Sequence, residues 1–92
     1  MEITHDLSRN VFEVVVDGYT AYVSYAVVDG VFDVEHTVVP REIGGRGVAA
    51  ALVEAAYDYA REQGLKPRAT CAYAVAWLKR NPSYQVPPDS GE

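Results

Sequence analysis

The sequence predicts an α+β fold: an antiparallel β-meander followed by a βαβα unit, with the helices packed on a mixed sheet. Apolar, β-branched runs fill the first third of the chain, and Asp17-Gly18 and Asp29-Gly30 separate them. Asp-Gly between such runs is typical of a tight hairpin, because the turn needs positive φ at both central residues. From Val48 onward the apolar period lengthens to about 3.6 residues, which indicates helix.

The three strands predicted for the meander cover residues 11–17, 19–29 and 31–39. Strict alternation along the third strand puts four side chains on its apolar face and three on the other. The apolar face is predicted to carry Phe32, Val34, His36 and Val38, and the opposite face Asp33, Glu35 and Thr37.

Two helices and a short strand are predicted to follow. The first helix runs from Val48 to about Gln63, with Gly64 as its stop. Its apolar stripe is formed by Val48, Leu52, Ala55, Ala56 and Tyr59. Residues 65–71 are extended, and Pro67 indicates that the start of this segment lies either outside regular pairing or on an exposed sheet edge. Residues 72–80 form the second helix, which ends at Asn81-Pro82. A right-handed crossover would make the last strand parallel to the third.

Length and composition limit the classes of function. We expect one domain over residues 1–92, with an ordered core from about 11 to 84 and a flexible Pro-rich tail over 85–92. The net charge of −5 argues against nucleic-acid binding. There is no apolar run of about 20 residues and no signal-like N-terminus, so no membrane association is expected. A single cysteine fits a cytoplasmic location.

The most informative segment is the loop Gly44-Gly45-Arg46-Gly47, which opens directly into the first helix. Glycines let a ligand approach the backbone closely, and the N-terminus of a helix offers free N–H donors to an anion. A pyrophosphate is the natural ligand of such a loop, with Arg46 as an added donor or as a solvated side chain. The simpler alternative is a tight strand-to-helix turn that binds nothing.

Residues 38–65 resemble the acetyl-CoA-binding motif of the GNAT (N-acetyltransferase) superfamily, Gln/Arg-x-x-Gly-x-Gly/Ala. Gly47 and Ala49 match its last two fixed positions, whereas Gly44 stands where Gln or Arg is expected. The chain from about Val11 to Tyr84 is similar to the short single-domain GNAT-like group. The similarity includes "EHTVV" before the loop, a strand ending in Cys71, and "YAVAWLKRNPSY".

This resemblance implies that acetyl-CoA binds to the chain. It places the pyrophosphate on the loop amides and the pantetheine arm along the end of the third strand, which would splay apart from the last strand. The last helix would contact the pantetheine or the adenosine, although its polar end can equally be a plain helix terminus. The expected cofactor-binding residues are Thr37, Val38, Val39, Gly44, Gly45, Arg46, Gly47, Val48, Ala49, Lys79 and Asn81. The departure at Gly44 predicts weaker or altered binding. No metal site is expected.

Cys71 is the first candidate catalytic residue. A thiol at a helix N-terminus can have a lowered pKa and act as a nucleophile beside the thioester. In the short GNAT-like group a cysteine at this position is a proposed catalytic residue. The alternative is a small buried core residue, which is how free cysteine usually behaves.

His36, Tyr73 and Tyr84 are the other candidates. His36 is either a general base near the acceptor amine or a hydrogen-bonded core residue on the apolar face. It lies roughly 10 Å before the end of its strand, so a direct pair with Cys71 is not expected. Tyr73 and Tyr84 could protonate the leaving thiolate, though most of the seven tyrosines are expected to be packing residues.

Two functions remain open from the sequence. The leading one is transfer of an acetyl group from acetyl-CoA to an amine, in a direct ternary complex, with Val38 or Val39 N–H as the oxyanion donor. The alternative is a non-catalytic module for CoA binding or protein interaction. Full-length GNAT domains carry helices after their first strand, whereas here Asp17-Gly18 turns directly into the next strand. The open acceptor side suits a protein or another bulky amine, or a homodimer whose partner completes the wall.

Overall fold

A computed structural model describes residues 1–85 of the chain. The predicted tail therefore lies outside the described residues except for Gln85, which ends a short 3-10 helix. The elements in chain order are β1 (Thr4–Asp6), β2 (Val11–Val16), β3 (Tyr19–Val28), β4 (Val31–Val38), a 3-10 turn (Arg41–Ile43), α1 (Val48–Glu62), β5 (Lys66–Ala69), α2 (Ala72–Arg80) and the 3-10 helix Pro82–Gln85.

The five strands form one sheet in the order β1-β2-β3-β4-β5. The first four are antiparallel neighbours, and β5 pairs parallel to β4. This mixed sheet confirms the predicted α+β fold and the crossover through α1. The prediction missed β1, whose three residues carry no apolar run, so the meander has four strands and not three.

Both predicted Asp-Gly hairpins are confirmed by their backbone angles. Asp17 and Gly18 have φ of 51° and 81°, and Asp29 and Gly30 have φ of 54° and 77°. Positive φ at two successive residues matches the right-handed twist of the flanking strands, and it keeps consecutive strands in direct contact.

The core lies between one face of the sheet and the two helices. Alternate strand residues such as Val14, Val23 and Phe32 are buried against α1, and Trp77 of α2 stacks on Tyr57 of α1 with ring centroids 5.8 Å apart. The buried stripe of α1 differs partly from the prediction, because Ala55 and Tyr59 are only partly buried. It consists of Val48, Leu52, Val53, Ala56, Tyr57 and Ala60.

The end of β4 contradicts one prediction. A β-bulge interrupts the β3–β4 register, so that Ser24 pairs with His36 while the next residue, Tyr25, pairs with Val34. The extra residue in β4 is Glu35, and it reverses the alternation beyond it. His36 and Val38 are therefore exposed and not on the core face as predicted, and Thr37 pairs with the fully buried Val23.

The predicted helix ends are confirmed, whereas β5 (Lys66–Ala69) ends two residues before Cys71, earlier than predicted. Pro67 lies in β5, the edge strand of the sheet, whose open side has no neighbouring strand. A missing N–H on that side costs no hydrogen bond between strands. Gly64 follows α1 with φ of 71°, and α2 covers the predicted residues up to Arg80. Neither helix of the described part is long and apolar enough to cross a membrane.

Candidate active site

The glycine loop lies between two buried residues, Ile43 and Val48. The side chain of Ile43 is completely buried, and its N–H donates to the carbonyl of Pro40 at 3.1 Å. After this anchor Gly45 and Gly47 both adopt φ of 77°, a conformation that L side chains rarely reach. The glycines thus let the chain turn from the end of β4 directly into α1.

The N-terminus of α1 is uncapped by any side chain. Its N-cap is Gly47, which has no side chain to accept a bond, and the first intrahelical donor is the N–H of Ala51 to Gly47. The amides of the first turn therefore remain available at the positive end of the helix dipole. That end can bind an anion.

A cavity of about 280 Å³ lies against this helix end. It is lined by six of the predicted cofactor-binding residues, together with Tyr73 from the first turn of α2. Its lining consists of Val39, Gly44, Gly45, Gly47, Val48, Ala49, Ala50 and Tyr73. Most of these side chains are absent or a single methyl, so the backbone amides are accessible from the cavity.

Arg46 is held by an exposed ion pair. Its Nη1 donates to Asp17 Oδ2 at 2.6 Å, which joins the glycine loop to the β2–β3 turn. Neither Arg46 nor Asp17 lines the cavity. The ion pair could not be read from the sequence, because the two residues lie 29 positions apart.

The gap predicted between the third strand and the last one begins after Val34. The last β4–β5 pair joins Val34 to Ala69, and the Val34 carbonyl accepts the N–H groups of both Thr70 and Cys71. From there β4 continues to Val38 without a β5 partner, while the segment after β5 turns into α2.

Cys71 lies at this gap as the N-cap of α2 and is half-buried. Its Sγ is 3.4 Å from Thr37 Oγ1, on the part of β4 that has no β5 partner. Burial alone would raise the pKa of the Cys71 thiol, but hydrogen bonds from the Thr37 side chain and from the N–H groups of Ala74, Tyr73 and Thr37 outweigh it. The net result is a lowered pKa, which favours the reactive thiolate.

His36 does not join this group of residues. It is exposed on the other face of the sheet, so its packed-core interpretation is wrong, and it does not face Cys71. A base role for His36 would require an acceptor amine that approaches from that face.

The remaining predicted residues fall into separate places. Tyr84 donates to Asp58 at 2.8 Å and packs edge-on against Trp77, contacts typical of a structural residue. Asn81 Nδ2 donates to the Trp77 carbonyl at 2.8 Å and closes the end of α2. Lys79 lines a different cavity, of about 230 Å³, and neither Lys79 nor Asn81 lines the loop cavity.

Two hydrogen bonds near Cys71 had no signal in the sequence. Tyr57 Oη donates to the Arg68 carbonyl at 2.6 Å, and Thr70 Oγ1 donates to Asp33 Oδ2 at 2.8 Å. Together they fix the end of β5 to α1 and to β4.

A third cavity, of about 370 Å³, lies on the opposite sheet face beside Asp33, Glu35 and Arg68. No three His, Cys, Asp or Glu side chains among residues 1–85 come together as a metal site would require.

Comparisons with known proteins show which family the chain resembles. The sequence model of the GCN5-related N-acetyltransferase family matches residues 11–86. Protein NATD1 from Gallus gallus and from Homo sapiens are each 36% identical over 85 residues, which cover 89% of this chain and 77% and 75% of those proteins.

A solved structure agrees with these relatives. A GCN5-like protein from Staphylococcus aureus, determined by NMR in solution, superimposes with a TM-score of 0.73 at 36% identity, covering 91% of this chain and 83% of that one. Since the family model spans most of the chain and the fold agrees, the chain belongs to the GCN5-related N-acetyltransferase family.

Proposed function

We propose that this chain transfers an acetyl group from acetyl-CoA to an amine. The observation that carries the proposal is the loop cavity, which combines an uncapped helix N-terminus with small lining residues and reaches Tyr73, two residues after Cys71. The family and the fold support the same reaction class.

The residues present fit the pyrophosphate of CoA. The amides of Gly45, Arg46, Gly47, Val48 and Ala49 are the proposed donors, because the helix dipole and the missing cap leave this end electropositive. Gly44 contributes no side-chain donor, and Arg46 would have to leave Asp17 to add one. Lys79 and Asn81, which do not line the loop cavity, are proposed to contact the pantetheine or adenosine end of CoA.

The pantetheine arm would pair with β4 where β5 no longer does. The backbone of Thr37, Val38 and Val39 faces the gap, and Val39 also lines the loop cavity. Such a strand-like addition uses main-chain hydrogen bonds and directs the thioester toward Cys71. Acetyl-CoA supplies the acetyl group in activated form, and the chain supplies its position.

The lowered thiol pKa favours Cys71 as the group that meets the acetyl carbon. In the covalent route the Cys71 thiolate forms a bond to the acetyl carbonyl carbon while the thioester C–S bond breaks, and CoA leaves and takes up a proton. The neutral amine then attacks acetyl-Cys71, loses its proton and regenerates the thiolate. In the direct route the amine attacks the thioester itself, the Cys71 thiolate or a water molecule accepts its proton, and Tyr73 protonates the leaving sulfur. His36 would be the base only for an amine that approaches from the other sheet face.

The acceptor is proposed to be a bulky amine such as a protein side chain, because the first strand, β1, turns directly into β2 through residues 7–10, and no helix of the described residues stands between them. A homodimer that supplies the wall is the alternative, and a cytoplasmic location fits both. Nucleic acid and membranes are not proposed as partners.

A non-catalytic CoA-binding module is the second candidate, favoured by the missing side chain at Gly44 and by the pairing of Arg46 with Asp17.

Cys71→Ala and Cys71→Ser separate the two functions. In an enzyme that uses the thiol, both variants bind CoA and lose turnover, and wild-type protein mixed with acetyl-CoA gains one acetyl mass on Cys71 in the covalent route. Turnover that survives in Cys71→Ala would end the cysteine role and leave direct transfer with another base.

Ala49→Glu tests the binding site itself. Ala49 lies in the first turn of α1, where a carboxylate interacts favourably with the helix dipole and stabilises the fold, yet it would repel a pyrophosphate. We expect at least tenfold weaker CoA binding in calorimetry, against a small loss for the neutral control Ala49→Gln. Equal affinities for wild type and Ala49→Glu would reject the loop as the CoA site. A native mass spectrum of the purified protein, read for bound CoA, is the direct check of the ligand.

A further inference from the structure

The side chain of Thr37 contacts Cys71 because of the β-bulge. If the strand alternated regularly through Glu35, with no bulge, Thr37 would point to the same face as Asp33, away from the thiol. With the bulge, Thr37 lies opposite the buried Val23, and its Oγ1 is 3.4 Å from Cys71 Sγ across the gap between β4 and α2. The bulge therefore has a local consequence at the sulfur.

We propose that Thr37 is a positioning residue for Cys71, holding its sulfur in the gap as a hydrogen-bonded thiolate. In the neutral state the thiol donates to Thr37 Oγ1. Once the thiol has lost its proton, the same hydroxyl rotates and donates to the sulfur. The contact thus persists in both states, while its strength rises with the charge on the acceptor. The inference depends on the proposed function only where it gives the sulfur of Cys71 a role in acetyl transfer.

The other donors to this sulfur are backbone groups, the N–H of Ala74, Tyr73 and Thr37. They survive any side-chain substitution that keeps the fold, so the Thr37 hydroxyl is the one donor among them that mutation can remove. The nearby hydroxyl of Thr70 is engaged elsewhere, with Asp33.

The titratable groups around the thiol come from three elements. Tyr57 faces it from α1, and burial followed by the charges of Asp33 and Cys71 raises the pKa of this phenol, so it stays neutral when the thiol ionises. Asp33 of β4 lies beyond Thr70, and Tyr73 lies in the first turn of α2. Removal of the Thr37 hydroxyl changes none of these groups.

The test is the pH dependence of Cys71 alkylation by iodoacetamide, which is specific because the chain has one cysteine. Thr37→Val keeps the shape and removes the hydroxyl, Thr37→Ser keeps the hydroxyl, and Thr70→Val is the neighbouring control. We expect the midpoint for Thr37→Val to move up by about one pH unit or more. Thr37→Ser and Thr70→Val should stay near wild type. Circular dichroism checks each fold, and Thr37→Ala replaces Thr37→Val if that variant does not fold.

An unchanged midpoint in folded Thr37→Val or Thr37→Ala would overturn the proposal, as would an equal shift in Thr70→Val. Alkylation needs no acetyl-CoA, so this readout stands apart from the proposed function, whose failure would appear as absent CoA binding or absent turnover. With activity present, Thr37→Val should lower kcat several-fold while the Kd for CoA holds, because only the side chain changes.

Discussion

Arg46 Nη1 and Asp17 Oδ2 lie 2.6 Å apart and join the glycine loop to the β2–β3 turn. Both side chains are at least half exposed, so the pair contributes little to stability, roughly 0–1 kcal/mol. Its importance lies in where it puts charge. The carboxylate engages the guanidinium of a loop residue, so this ion pair would have to open before Arg46 could bind a pyrophosphate.

Asp17→Asn is therefore expected to tighten CoA binding by a few-fold at low ionic strength, with the gain shrinking as salt is added. Asn-Gly suits the same turn, since Asp17 has φ of 51°, so the hairpin is kept. Calorimetry at two salt concentrations measures the effect. Asp29→Asn makes the same change at the other Asp-Gly turn, at the opposite end of β4, and should leave the affinity unchanged. A gain in both variants would point to net charge and not to Arg46.

His5 gives the fold a predicted pH dependence. It stacks on Phe12 at 3.9 Å between ring centroids, and its Nε2 lies 2.6 Å from Tyr25 Oη. Burial lowers the pKa of His5, and the Asp6 carboxylate only partly opposes this. The unfolded chain then binds a proton more readily than the folded one. The stabilisation is therefore complete above the unfolded pKa of about 6.5 and is lost as the pH falls through the folded pKa.

We expect the free energy of unfolding in urea to be smaller at pH 5 than at pH 7.5, and the difference to shrink in His5→Phe, which keeps the stacking but cannot titrate. His36→Gln, which changes the exposed histidine, should keep it. A pH difference that His5→Phe leaves intact would assign it to other groups.

The sequence predicted elements whose signal is local. Asp-Gly at residues 17–18 and 29–30 dictates both hairpins through backbone angles alone, and Gly64 and Pro82 mark helix ends in the same way. The fold class followed from these turns and from the change of period at Val48. Six of the eleven residues predicted to bind the cofactor line the loop cavity.

The predictions that failed concern features that depend on pairing with another strand. The stretch "VEHTV" alternates without interruption, so nothing within it shows that Glu35 bulges and turns His36 outward. Strand β1 directs only His5 toward the core, and Ile3 just before it packs there too, which is too short a pattern to be recognised without the partner strand β2. The contact between Thr37 and Cys71 depends on that bulge and was missed with it.

Tyr57→Phe should lower the free energy of unfolding by about 1–3 kcal/mol. The Tyr57 hydroxyl is the donor to the Arg68 carbonyl at 2.6 Å, and burial raises its pKa, so it remains protonated over the usable pH range. Its loss leaves a β5 carbonyl without this donor, next to the strand end that leads to Cys71. Urea unfolding measures the loss. Tyr19→Phe, at an exposed position on β3, is the control and should change stability little.

Gly47 combines a backbone requirement with the proposed ligand site, and substitutions can separate the two. It has φ of 77°, and a Cβ built there meets no atom within 4 Å, so any cost to the free protein comes from the backbone and not from a clash. Gly47→Ala should lose about 1–2 kcal/mol of stability. Gly47→Asn should lose less, because Asn tolerates the left-handed region. Both add side-chain atoms at the cavity wall, so both should weaken CoA binding, and the bulkier Gly47→Val should abolish it. Calorimetry on variants shown to be folded decides the matter: wild-type affinity in folded Gly47→Val would remove the glycine loop from the CoA site.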